Sequence, residues 1–70
     1  MMMYYPIRDE KVQSIVAAGG DAAAGLLRLR RARLRRTAYY RMPNRMRWEM
    51  ALMVREADEA CRRLGVKEAS

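Results

Sequence analysis

The chain has 70 residues, with 15 Lys and Arg against eight Asp and Glu, one cysteine, no histidine and a net charge of +7. A chain this short forms at most one domain with a small core. The single Cys61 excludes an internal disulfide, and the absence of histidine leaves no plausible zinc site. Thirteen of the 15 cations are arginine, whose planar fork matches phosphate and stacks on bases, so the composition points to phosphate recognition more than to solubility.

In chain order, residues 1–8 read as extended, with Pro6 excluding an earlier helix start. Met1, Met2, Met3, Tyr4 and Tyr5 have neither a charged start nor a long apolar region, so neither a secretory signal nor an obvious organellar presequence is expected there. No apolar run approaches the ~18 residues needed to cross a membrane. A first helix is expected over residues 9–18, capped by Asp9, with Val12, Ile15 and Val16 on one face and Gly19-Gly20 as its stop. A second helix is expected over 21–40, capped by Asp21 and broken at Met42-Pro43, because the residue before proline is pushed out of helical geometry. A third is expected over 44–64, with Asn44 as cap and Gly65 at its end. No strand, internal repeat or low-complexity linker is expected.

This plan divides the chain into an N-terminal segment and short helix (1–20), an arginine-rich helix and corner (21–43) and an amphipathic C-terminal helix (44–70). Charge is segregated along it. Residues 1–20 are net neutral, residues 21–47 carry nine arginines against Asp21 alone, and residues 48–70 are net −1. On a helical wheel Ala23, Leu27, Leu34 and Ala38 share one narrow face of the second helix. Arg30 and Arg31 flank that face, and Arg28, Arg33, Arg35 and Arg36 occupy the rest of the circumference. A core helix shows an apolar stripe at least ~100° wide, and this helix does not. Packed on a small core with plain solvent beyond, it is expected to repel itself; surrounded by phosphates, it releases condensed counterions and gains affinity. The bland reading of the same run is a solvated charged face. Arginines encircling the helix also leave no face to insert into a membrane surface.

Beyond it, Tyr39, Tyr40, Arg41, Met42, Pro43, Arg45, Arg47 and Trp48 alternate aromatics with arginines around a proline corner. Such rings and guanidinium planes stack on unpaired bases, as in the holding of irregular RNA. The plainer alternative is that Tyr39, Tyr40 and Trp48 form the core of a helix corner. Arg45 and Arg47 oppose the dipole at the start of the third helix, a penalty that a bound anion removes.

The string Arg35-Arg36, Tyr39-Tyr40, Pro43, Arg45 and Arg47 resembles the ribosomal protein S-21 family, whose pattern is a basic run, two aromatics, two residues, proline and a further basic run. The likeness covers residues 26–49, and the paired tyrosines look like those of organellar members. Arg41 and Met42 stand where the family commonly has an acidic residue and lysine, and the C-terminal part is not the basic tail of bacterial members. The resemblance implies a non-catalytic protein of the small ribosomal subunit, lying against small-subunit rRNA beside neighbouring ribosomal proteins, in a mitochondrion rather than a bacterial cytoplasm or chloroplast. The expected fold is then all-α, two to three helices, extended, with little independent core and ordered on RNA. Its expected RNA contacts are Arg28, Arg30, Arg31, Arg33, Arg35, Arg36, Tyr39, Tyr40, Arg41, Arg45, Arg47 and Trp48.

In the third helix, Met46, Met50, Met53, Ala57, Ala60, Cys61 and Leu64 recur at three- and four-residue steps as one apolar face. Asp58 with Arg62 and Glu59 with Arg63 make favourable pairs elsewhere on it. This near-neutral helix is expected to pack on the first helix or on a neighbouring protein; the residues alone leave both open. The methionines read as adaptable packing rather than a cofactor site, and no cofactor, metal or small-molecule substrate is expected. Without histidine, a second cysteine or a phosphate loop after a strand, an enzyme is disfavoured. Two rival classes remain. One is a helix-turn-helix DNA regulator built on Gly19-Gly20 and the basic helix. The other is a phage-type inhibitor that clamps an acidic protein surface.

Overall fold

The computed structural model describes residues 6–36 and 41–66. Three helices follow one another: α1 (Asp9–Ala18), α2 (Gly20–Arg36) and α3 (Asn44–Leu64). Asp9 and Glu10 in the first turn of α1, Arg33, Arg35 and Arg36 in the last turn of α2, and Arg62 and Arg63 in the last turn of α3 all complement the local helix dipole. The expected caps shift by one residue. Arg8 and Pro43 hold the N-cap positions of α1 and α3 without a side-chain capping bond, so Asp9 and Asn44 are already helical. Asp21 likewise lies inside the first turn of α2. The proposed extension of the second helix through residues 37–40 lies outside the described residues.

Between α1 and α2 the chain turns at one residue. Gly19 has φ 98°, a region costly for any residue with a Cβ, and its N–H donates to Val16 O at 3.1 Å. α3 ends in a Schellman motif: Gly65, at φ 69°, donates to Arg62 O, and Val66 donates to Cys61 O at 2.9 Å. Val66 thereby folds back onto the core.

α2 and α1 both pack on α3, and they also touch each other. The core is built from Val12 and Ile15 of α1, Ala23 and Leu27 of α2, and Ala57, Ala60 and Cys61 of α3; Leu52 is buried as well. Ile7, Val16, Leu26, Val54, Leu64 and Val66 close its edges. The small side chains at 23, 57, 60 and 61 let the helices approach closely.

The all-α class is as expected, but the extended shape is not. The radius of gyration is 12.4 Å, near the ~11 Å of a compact chain of this length and far from the ~26 Å of an unfolded one. The reason lies in α2. Its narrow apolar face is sufficient because the flanking arginines are accommodated rather than repelled. Arg30 Nη1 donates to Met53 O at 2.7 Å, and Arg31 pairs with Asp58 at 3.7 Å. α3 therefore packs internally on both other helices. Its buried face is the expected one in part. Leu52 and Glu56 join Ala57, Ala60 and Cys61, whereas Met50, Met53 and Leu64 are half-buried and Met46 is 55% exposed. Met46 lies in the first turn of a 21-residue helix, about 31 Å long, which overhangs the core at that end.

Candidate nucleic-acid interface

Among the described residues one carboxylate, Glu56, is buried, and Asp58 and Glu59 beside it on α3 are half-buried. Glu56 is only 1% exposed and accepts three hydrogen bonds from one residue: Arg8 N to Oε2 at 2.8 Å, Nε to Oε2 at 2.9 Å and Nη2 to Oε1 at 3.0 Å. Burial pushes the Glu56 carboxyl up, but the Arg8 hydrogen bonds and the charges of Arg8 and Arg30 overturn this and hold it below the usual carboxylate value. Asp58 faces both Arg31 and Arg62. Arg63 bridges Asp9, at 3.0 Å, and Glu59, at 3.1 Å, tying the start of α1 to the end of α3.

The arginines expected to bind nucleic acid thus divide by environment. Arg30 is half-buried and turned inward to the α3 backbone, and Arg31 is half-buried against Asp58. Arg28, Arg33, Arg35 and Arg36 lie on the exposed side of α2, and Arg41 and Arg45 are exposed beyond the corner. Among the described residues, Arg28, Arg35, Arg36, Arg41 and Arg45 form no ion pair. The outward side of α2 carries no carboxylate after Asp21. Leu29, 60% exposed, sits amid these cations. Arg47, half-buried, donates through Nη2 to Asn44 Oδ1, and Trp48 is half-buried beside it. Tyr39 and Tyr40 lie outside the described residues, so the aromatic half of the expected interface is represented here by Trp48.

Sequence reasoning missed Glu56 and Arg8. A signal was available: Glu56 is four residues from both Leu52 and Ala60, on a face that helical spacing makes apolar, and Arg8 is the lone cation before the first helix. Cys61 is buried; burial and then Asp58 raise its thiol pKa, opposed by Arg31, as suits a packing residue.

Among the described residues, no group of three His, Cys, Asp or Glu could hold a metal ion, and no helix is long and apolar enough to cross a membrane. No family model, curated protein or solved structure matches the chain.

Proposed function

We propose that this chain is a structural RNA-binding protein whose exposed α2 arginines meet the phosphate backbone, and that its assembly is the small ribosomal subunit, with the mitochondrion favoured as its setting. The observation that carries the RNA reading is the set of exposed arginines at 28, 35, 36, 41 and 45, none of which forms an ion pair among the described residues. Every carboxylate paired in the fold is engaged elsewhere, so this surface keeps its charge for an external polyanion. The ribosomal assignment rests on the arginine, paired-tyrosine and proline spacing described above. Arg30 and Arg31 support the interface from beneath, since Met53 O and Asp58, which they engage, lie within the protein. Because α3 packs internally, its contact with a neighbouring ribosomal protein is assigned to its overhanging first turns around Met46.

One observation favours a second reading. α1, the Gly19 turn and α2 pack together, and α2 is buried on one side and open on the other, as a DNA recognition helix requires. A recognition helix, however, reads bases with its N-terminal residues. Here that half holds Asp21 and three alanines, while the arginines occupy the other half. This suits backbone contact better than base readout.

Competition at physiological salt between small-subunit rRNA fragments and duplex DNA, at equal nucleotide concentration, tests both readings. Retention on structured rRNA is expected. Preference for one DNA sequence would replace this reading by the regulator, and binding to neither would leave the protein-complex inhibitor.

A further inference from the structure

A cavity of about 350 Å³ opens where the three helices meet, away from the outer face of α2, and Arg8, Lys11, Arg30, Glu56, Ile15 and Met53 line it. It brings three cations from two helices and the segment before them to one carboxylate. That carboxylate is already satisfied, since Glu56 turns both oxygens onto Arg8. The cations are not saturated. Arg8 spends two of its five guanidinium N–H groups on Glu56, and Arg30 donates through Nη1 to Met53 O. Lys11 is exposed and has no ion pair among the described residues.

We propose that this cavity is a phosphate site, taking the phosphate of an RNA chain or of a free phosphomonoester. Arg8 and Lys11 are three residues apart at the start of α1, and Arg30 of α2 lines the same cavity, so cationic donors come to it from two helices and the segment before them. A tetrahedral oxyanion uses such an arrangement, whereas a planar carboxylate is satisfied by one guanidinium fork. Ile15 and Met53 give the cavity an apolar floor, which strengthens the field of the cations above it. Water occupies about 30 Å³ per molecule, so the volume admits a phosphate together with an attached sugar. Arg30 also has a use for an anion there: burial lowers its pKa and the Arg8 charge lowers it further, against the pull of Glu56. The site stands independently of the outer α2 arginines, whose role is read from salt dependence and not from this cavity.

The test is an amide chemical-shift titration of the whole chain with inorganic phosphate, with chloride balancing ionic strength. Saturable shifts are expected at Lys11, Ile15, Met53 and Ser14, which also lines the cavity, and Lys11→Gln, at an exposed position that leaves the core untouched, should weaken apparent affinity about tenfold, the loss of one charge-assisted hydrogen bond. Non-saturating shifts, shifts confined to Arg28, Arg35 and Arg36, or an unchanged affinity in Lys11→Gln would overturn the site. A second arm compares a short RNA with a 5′-phosphate, the same RNA with a 5′-hydroxyl, and adenosine monophosphate. Displacement of inorganic phosphate by either RNA supports an RNA phosphate as the occupant, and displacement by the mononucleotide alone supports a free phosphomonoester. Displacement by none of the three overturns the proposal.

Discussion

Removing the Glu56 carboxylate should cost a large share of the stability of this protein. Glu56 is 1% exposed and accepts three hydrogen bonds between 2.8 and 3.0 Å from Arg8, whose own side chain is 45% exposed. Breaking a buried ion pair by deleting one partner costs about 3–5 kcal/mol, because the survivor is left uncompensated. Here the survivor can return to water, so Glu56→Ala should cost less than that, about 2–3 kcal/mol. A chain of this size is stable by about 4–10 kcal/mol in total. The midpoint of the helical circular-dichroism melt should therefore fall by about 10–20 °C at neutral pH. Glu56→Gln should fall less, since one carbonyl oxygen still accepts while its amide confronts the Arg8 donors. The pH dependence follows from the depressed Glu56 pKa: the contribution is complete above the ordinary carboxylate value and is lost as pH falls through the lower folded value. Glu56→Gln should lose this component of acid sensitivity. A melt of Glu56→Ala within about 2 °C of the parent would refute the reasoning, because the pair would then be an exposed one of negligible worth.

Four further outcomes are expected. If the five exposed arginines at 28, 35, 36, 41 and 45 each neutralise a phosphate, log K for RNA against log salt should have a slope of about −3.5 to −4.5, and Arg36→Gln should flatten it by about 0.7–0.9; a slope near zero removes the nucleic-acid reading. Trp48→Ala should weaken binding to structured RNA by about 1–3 kcal/mol if the ring stacks on a base, with duplex DNA binding little changed, as measured by fluorescence anisotropy on both. Leu27→Ala, at a buried position of the α2–α3 contact, should cost about 2–4 kcal/mol in urea denaturation. Iodoacetamide should alkylate Cys61 slowly in the native protein and rapidly in urea, since the thiol is buried with a raised pKa; equal rates would show that the α3 packing is loose.

The helix bounds were legible because their signals are local. Gly19, Pro43 and Gly65 act on their immediate backbone, and Val12 with Ile15 already marks the inner face of α1. What escaped were pairings across the chain. Arg8 and Glu56 are 48 residues apart, and neither has a neighbour in sequence that announces the other. The same holds for Arg30 and the carbonyl of Met53, 23 residues away. Counting all the α2 arginines as outward charge therefore overstated the self-repulsion and led to an extended shape. On α3, residues 57, 60 and 61 are buried as expected, whereas the methionines carried the expected face too far toward the first turns, where Met46 is exposed. For the interface, the arginine-rich stretch was visible at once, but its division into inward and outward members depends on contacts that only the folded chain reveals.

The small side chains at the helix contacts also determine which changes this protein tolerates. Ala23, Ala57 and Ala60 are fully buried, and truncating them removes almost nothing. The vulnerable direction is growth: one added methyl or isopropyl group at these positions must push two helices apart, and overfilled cores typically lose about 1–3 kcal/mol. The buried positions where shortening hurts are few, chiefly Val12, Ile15, Leu27 and Leu52. The fold itself therefore tolerates substitution along the exposed side of α2 and the first turns of α3, while packing keeps the alanine seam nearly frozen. In a lineage of such chains the alanine spacing would be held by packing and the outer arginines by their partner alone, so loss of that partner would free the arginines and leave the alanines fixed.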